Sequence, residues 1–349
     1  MIKHTAAAAA ALFVALIAGT LFTSCTSLHS NDNYISDSGF YFDTYIDIKI
    51  STEGEYDASA LLAECMDKCA EYEDILSAYK EGSELFGLNA GEAEKADNGG
   101  YVISRPLYEC ISLGLQYGEM TGGAFDISIF PVSSLWIWDA ETPALPDDKD
   151  IRKALEYVDC SKISVGSSED EGAAGLADGL FYVMLPDGMK LDLGGIAKGY
   201  ISGKLADYLE ECGVKSAVIN LGGNVRAIGS KNTGDDWVIG IQKPFSGRGE
   251  VIEKESISGL SVISSGDYER YFILDDKLYY HILDPDTGYC VNTDVDQITI
   301  VGTDDVLGDV LASSGMVLGV ERLMEIIESN RLDVKVIVTY NDASTKRIN

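Results

Sequence analysis

The stretch that most constrains the fold is MKLDLGGIAKG, at positions 189–199. Apolar and polar residues alternate over 189–193, the period of a β-strand, and two glycines then interrupt the pattern. Apolar residues recur at helical spacing over 201–212, so the sequence predicts a strand that turns directly into a helix. Glycines at such a junction let a ligand approach the backbone, and the first N–H groups of a helix attract an anion. Lys198 adds a cation there, although a plain tight turn beside a surface lysine would have the same sequence.

Net charge limits the class of partner. The chain of 349 residues has a formal charge of −31. Most of its surface would repel a phosphate backbone, which argues against a nucleic-acid partner. An anionic small molecule would therefore need a local pocket of cations.

The N-terminus predicts export. Lys3 precedes an apolar run over 6–22, and Phe-Thr-Ser-Cys then ends at Cys25. This pattern is similar to a lipoprotein signal peptide, with Cys25 lipidated. A plain membrane-anchor helix is the alternative, but about 17 apolar residues barely reach the length that spans a bilayer. We expect a signal peptide over 1–24, a polar tether over 25–39 and one domain over 40–349, held on the extracytoplasmic face of the cell membrane.

Helical and β-rich segments share the predicted domain. Helices are predicted over 58–79, 104–120 and 304–318, and strands over 40–50, 217–221, 237–242, 298–301 and 333–340. Polar or glycine-rich segments at 139–150 and 166–179 are predicted to be loops within this one domain.

Three features of the sequence could belong to a functional site, but each also has an ordinary structural explanation. The segment GAFDISIFPVSSLWIW is consistent with an aromatic pocket wall and with a core that carries a loop aspartate. His281 alone among the histidines lies well inside the predicted domain, and a lone histidine is more often structural than catalytic. Asp309 and Ser313 share a face of their helix. Their oxygens could help to hold Mg²⁺, or they could be an N-terminal acid and an ordinary serine.

Together and in this order, the motifs resemble the FAD:protein FMN transferase (ApbE) family over about 40–340. They are LSAYKEGSELFGLN, TGGAFD, LDLGGIAKGY, INLGGN, SGDYERYF, HILDPDTGYCV and the Asp309/Ser313 pair. Two positions depart from the family pattern. Phe42-Asp43-Thr44 replaces a frequent Met-Gly-Thr, and Ser313 replaces a threonine, although a serine hydroxyl still offers an oxygen to magnesium.

The resemblance implies an α+β (mixed α/β) fold, a T-fold-like architecture of two interleaved halves with FAD between them. It implies His281 as the catalytic residue and Mg²⁺ held by Asp309, Ser313 and the main-chain oxygen of Gly195. The FAD-binding residues that it implies are Phe42, Tyr79, Ala124, Phe125, Asp126, Asp192, Lys198 and Leu283.

The implied reaction is a Mg²⁺-dependent transfer of FMN from FAD to a threonine or serine hydroxyl of a target flavoprotein, with release of AMP. The expected targets are exported or membrane flavoproteins of electron transport. Two alternatives stay open at this point: the same site could hydrolyse FAD to FMN and AMP, or the lipoprotein could bind flavin without catalysis.

Overall fold

The computed structural model describes residues 33–138, 140, 142–168, 170, 179–247 and 249–348. The described residues belong to one compact unit that begins at residue 33. The expected signal peptide and Cys25 lie outside the described residues.

Antiparallel strands form the centre of the folded unit. The strands are β1 (Tyr34–Tyr41), β2 (Thr44–Ser51), β3 (Tyr101–Ile103), β4 (Ser164–Ser167), β5 (Phe181–Met184), β6 (Ala217–Leu221), β7 (Asn224–Ile228), β8 (Trp237–Gln242), β9 (Val251–Ile257), β10 (Ser261–Gly266), β11 (Tyr271–Leu274), β12 (Lys277–Tyr280), β13 (Val295–Gly302), β14 (Lys335–Tyr340) and β15 (Thr345–Ile348). One large sheet has the order β1-β2-β6-β7-β10-β13-β14-β15. Smaller sheets are formed by β3-β5-β4, by β8-β9 and by β11-β12.

Helices alternate with these strands along the chain. They are α1 (Ala58–Leu76), α2 (Glu84–Ala90), α3 (Arg105–Met120), α4 (Phe130–Ser133), α5 (Asp148–Leu155), α6 (Ala197–Glu211), α7 (Asp305–Leu318) and α8 (Val320–Asn330), with a 3-10 helix at Cys160–Lys162. Side-chain caps stabilise the first turns of several helices. Ser104 accepts a hydrogen bond from the N–H of Leu107 in α3, and Asp304 accepts one from the N–H of Leu307 in α7. The mixed α/β fold class is confirmed, and the division into two interleaved halves stays a prediction.

The large sheet is covered on both faces. Alternate residues of β2, such as Ile46 and Ile48, join a buried cluster with Leu205 of α6. On the other face, Val262 and Ile337 pack with Trp237 of the β8-β9 hairpin. The sheet therefore lies between a helical layer and this hairpin.

Close packing of α6 on α7 depends on a glycine. A Cβ at Gly199 would lie 2.5 Å from the backbone oxygen of Asp305, closer than Cβ atoms approach another atom in folded proteins. The first turn of α6, with Lys198, is therefore held beside α7.

The strand predicted over 189–193 is wrong. Met189, Leu191 and Leu193 are buried as the alternation indicates, but the segment belongs to no sheet. The Asn89 side chain instead donates to the Leu191 carbonyl at 2.8 Å and accepts from the Leu191 N–H at 2.7 Å. A side-chain amide thus satisfies backbone groups that a neighbouring strand would otherwise pair.

The first strand and the tether also need correction. Residues 34–41 form β1 and pair with β2, so the folded unit includes residues expected to be tether. The segment predicted as one strand over 40–50 contains a tight turn, in which Phe42 and Asp43 have φ of +53° and +55°. Such turns usually use Asn or Gly, and Phe-Asp gives no turn signal. The helix predicted over 58–79 ends at Leu76, so Tyr79 lies in the loop that follows.

Candidate active site

A cleft of about 310 Å³ brings distant parts of the chain together. It lies among the β1-β2 turn, the loop after α1, the start of α6, the end of β10, the loop after β12 and the last turns of α7. The predicted site residues that line it are Phe42, Tyr79, Ala124, Phe125, Asp126, Asp192, Gly195, Lys198, His281, Leu283 and Ser313. Its size is in the range of small-molecule sites.

Asp309 does not line the cleft but lies buried beneath Lys198, with 1% exposure. Its Oδ2 accepts the N–H of Gly199 at 3.0 Å, and its Oδ1 lies 3.7 Å from Lys198 Nζ. The N-cap residue of α6, Ile196, makes no side-chain cap bond of its own. The carboxylate of Asp309 thus anchors the helix start that faces the cleft.

The predicted magnesium ligands form an oxygen-only set. Ser313 Oγ lies 3.1 Å from Ser265 Oγ on the cleft wall, and Gly195 also lines the cleft. Among the described residues, no three His, Cys, Asp or Glu side chains form a cluster that could hold a metal ion. Mg²⁺ is commonly bound by one or two carboxylates, with substrate phosphates and water as the other ligands. By type of donor, one carboxylate with hydroxyl and carbonyl oxygens would suit such a site, although Asp309 already accepts the Gly199 N–H, and magnesium binding by these residues stays a prediction.

Asp192 is held by donors from three parts of the chain. Tyr79 OH and Ser133 Oγ each donate to Asp192 Oδ2 at 2.9 Å. The N–H of Gly194 donates to Oδ1 at 2.9 Å. Burial and the Asp192 charge raise the pKa of Tyr79 above its ordinary value, so the phenol keeps its proton. A fixed carboxylate here can accept hydrogen bonds from hydroxyl or N–H groups of a ligand.

The Asp126 carboxylate mainly shapes the cleft rim. Its Oδ1 accepts from the Ser128 N–H at 2.7 Å and from Ser128 Oγ at 2.5 Å, and its Oδ2 accepts from the Cys160 N–H at 3.0 Å. These bonds fix the turn that presents Ala124 and Phe125. The aromatic segment therefore forms part of a pocket wall and part of the core. Phe125 lines the cleft, whereas Trp136 is buried in the core.

His281 lies in the cleft wall, next to two cations. Its backbone N–H donates to the Arg270 carbonyl at 3.1 Å. Its Nδ1 is buried and has no hydrogen-bond partner among the described residues. Burial, together with the Arg270 and Lys198 charges, lowers the pKa of His281 to about 3. The imidazole is therefore neutral at physiological pH and can accept a proton.

Sequence reasoning assigned no role to several residues that also line the cleft. Glu269 and Arg270 come from the motif SGDYERYF, and Ser264 and Ser265 from the end of β10. The mixed charges of that motif were the available signal. Arg270 joins Lys198 as a second cation, which supplies the local pocket that an anionic ligand needs in a chain of charge −31.

A buried acid near this wall gives a stability prediction. Asp267 is 6% exposed, and its Oδ1 lacks a partner within the described ranges. Burial and the nearby Asp296 charge raise the pKa of Asp267 from 3.8 to about 7. The folded state therefore holds this proton more tightly than the unfolded chain, and the stabilisation is lost progressively as the pH rises from 3.8 to about 7.

Asp267→Asn is expected to keep the neutral form at all pH values. Its thermal unfolding temperature should exceed that of the wild type by a few degrees at pH 8 and by less at pH 5. Thermal melts from pH 5 to 8 measure the difference, with the exposed Asp236→Asn as control. If the unfolding temperatures of Asp267→Asn and the wild type changed with pH in the same way, the raised pKa of Asp267 would be contradicted.

Two cations, Lys198 and Arg270, line one cleft together with the start of α6, an arrangement that is typical of a protein that binds an anionic ligand. The chain belongs to the ApbE family, whose model matches residues 42–338. It is 34% identical over 263 residues to a FAD:protein FMN transferase of Klebsiella pneumoniae, covering 75% of this chain and 77% of that protein. It is 33% identical over 272 residues to one of Treponema pallidum, covering 75% and 72%.

Solved structures agree with this family assignment. The ApbE protein of Thermotoga maritima superposes with a TM-score of 0.76 at 26% identity, covering 90% of this chain and 96% of that one. A histidine-to-glycine variant of the flavin transferase ApbE of Vibrio cholerae gives a TM-score of 0.71 at 26% identity, with the same coverage.

Proposed function

We propose that this protein transfers FMN from FAD to a threonine or serine hydroxyl of an exported or membrane flavoprotein and releases AMP. The observation that carries the proposal is the juxtaposition of Lys198, Arg270 and the start of α6 with the neutral His281 in one cleft. Relatives named FAD:protein FMN transferase support it.

The pyrophosphate of FAD lies, in this proposal, against Lys198 and the start of α6. Asp309, Ser313 and the Gly195 carbonyl would hold Mg²⁺ there. The ion would neutralise charge on the phosphates as the bond between them breaks. Asp309 has a second task, because its bond to Gly199 fixes the helix start whose dipole faces the same phosphates.

The rings of FAD lie, in this proposal, along the walls formed by Phe42, Tyr79 and Phe125. Tyr79 also packs on Phe130, with ring centroids 5.3 Å apart, which limits its motion. Asp192 would accept hydrogen bonds from hydroxyl or N–H groups of the ligand, since a carboxylate is an acceptor only. Leu283 supplies apolar contact from the loop after β12.

The acceptor hydroxyl attacks the phosphorus on the riboflavin side. The new O–P bond joins FMN to the acceptor, and the P–O bond to AMP breaks, so that AMP leaves with the electron pair. Neutral His281 takes the proton of the attacking hydroxyl. Its backbone bond to Arg270 keeps this base beside a cation that faces the phosphates.

Incubation with FAD and Mg²⁺ separates this function from its alternatives. AMP that forms only when an acceptor is present supports transfer. AMP that forms equally without an acceptor indicates hydrolysis, and an absence of AMP indicates binding alone.

We also propose a lipid anchor at Cys25, which would place the active site on the extracytoplasmic face of the cell membrane. The support is the apolar run over 6–22 that precedes this cysteine. In the part of the chain that the structure describes, no helix is both long and apolar enough to cross a membrane.

Cys25→Ser should move the protein from the membrane fraction to the soluble fraction, because the thiol that carries the lipid is lost. Fractionation and immunoblotting measure this, with Cys212→Ser as a control outside the leader. A variant that stays in the membrane with its leader uncleaved would contradict lipidation.

A further inference from the structure

An exposed apolar patch lies directly beside the motif that lines the cleft. We define the mouth patch as Phe245, Tyr271 and Ile273, which are 48%, 38% and 62% exposed. Tyr271 follows Arg270 in the chain, and Arg270 and Glu269 line the cleft. The mouth patch itself contributes no residue to the cleft lining.

The patch is built from two separate hairpins. Phe245 lies in the turn between β8 and β9, and its ring packs edge-on against Tyr271 of β11 with centroids 5.2 Å apart. Phe245 also approaches Tyr268 at 6.1 Å. Its backbone φ is +54°, a left-handed conformation that is uncommon for a bulky residue. Local preference does not favour this arrangement, so the exposed ring is held there by its surroundings.

The strand that carries the patch has an open edge. Among the described residues, β11 pairs only with β12, so its other edge can bind a further strand. Tyr271 and Ile273 project from the exposed side of β11, whereas Phe272 between them is buried. An open edge with alternate apolar side chains is suited to binding an extended peptide.

We propose that the mouth patch and the edge of β11 bind an extended segment of the acceptor protein, which delivers its threonine or serine to His281. The inference rests on the proposed function, because transfer requires a polypeptide hydroxyl to reach the cleft. The patch adjoins the cleft through Arg270, whose carbonyl accepts the backbone N–H of His281 at 3.1 Å. A neutral patch also avoids the repulsion that acidic surface would impose in a chain of charge −31.

The test is the double variant Phe245→Asn, Ile273→Thr. Asparagine tolerates the left-handed conformation at 245, and threonine keeps a β-branched residue at 273, so both changes suit the local backbone. The matched control is Met184→Thr, which removes a 39% exposed apolar side chain from β5 in another sheet. The probe is a purified, unmodified flavoprotein domain of the kind that carries FMN in phosphoester linkage to a threonine or serine.

The double variant should raise the KM for this domain by about tenfold or more, as expected when exposed anchor residues of an interface are truncated. Its FAD affinity and its kcat at saturating acceptor should match those of the wild type, and Met184→Thr should behave as the wild type throughout. An unchanged KM for the domain in the double variant would contradict acceptor binding by the mouth patch, while the proposed transfer reaction would still stand. A wild-type protein that releases AMP but modifies no hydroxyl of the domain would overturn both the patch and the proposed function.

Discussion

His281→Ala is expected to lower flavin transfer by about 10² to 10⁴-fold, the usual contribution of a general base. FAD affinity should change less than about tenfold, or 1.4 kcal/mol, because the change removes neither a phosphate-binding cation nor a magnesium ligand. Single-turnover transfer and FAD titration measure the two quantities separately. Pro285→Ala is the control, since it alters the same cleft loop without removing a proton acceptor.

The pH profile tests whether His281 stays neutral through the physiological range. Because burial and the two cations lower the pKa of His281 to about 3, kcat/KM in the wild type should show no loss near pH 6.5 as the pH falls from 8 to 6. A loss of FAD affinity in His281→Ala, with normal turnover of the bound fraction, would contradict the catalytic role. Glu269 would then be the next candidate base, since it lines the cleft. Asp284 is less suited, because its carboxylate accepts bonds from Asp286 and Thr287 within its own turn.

Asp309→Ala should lower AMP release by roughly 10³-fold or more, and added Mg²⁺ should restore little of it. The expected loss combines a magnesium ligand, which supplies several kcal/mol of charge stabilisation, with the anchor of the α6 start. The change also removes the carboxylate that lies 3.7 Å from Lys198 Nζ, so this cation loses its fixed position.

Asp309→Asn separates these two contributions. The amide oxygen can still accept the N–H of Gly199, so the helix start should stay in place while the anionic ligand is lost. Both variants should remain folded by circular dichroism and thermal melts. Full AMP release in Asp309→Ala would contradict the metal assignment, and full release in Asp309→Asn alone would assign Asp309 to anchoring only.

Local sequence patterns predicted the helices whose first residue is marked by a polar capping side chain. The Ser104 cap and the apolar spacing placed α3, and Asp304 placed the start of α7. The same reasoning failed at 189–193. Alternating apolar and polar residues indicate that one side of the segment is buried, but they do not indicate which groups pair with its backbone. Asn89, which does the pairing, is about a hundred residues away and carries no local signal.

In the candidate site too, some residues could be predicted from their sequence neighbours, whereas others depend on contacts between distant parts of the chain. Lys198 could be singled out from the glycines beside it, but its contact with Asp309 depends on the packing of α6 on α7 at Gly199. Arg270 could not be assigned, since nothing in its sequence neighbourhood shows that the loop after β12 returns to it. The positive φ at Phe42 also escaped prediction, because a bulky aromatic residue rarely adopts this conformation.

The most direct test of the central claim is the mass of a purified acceptor domain after incubation with the wild-type protein, FAD and Mg²⁺. Transfer predicts that the domain gains the mass of FMN less one water, on a single threonine or serine, with one AMP released for each modified domain. Substitution of that residue by alanine should abolish both the mass gain and the acceptor-dependent AMP. Release of AMP at the same rate without any domain, with no mass gain when the domain is present, would contradict the claim and identify the protein as a hydrolase of FAD.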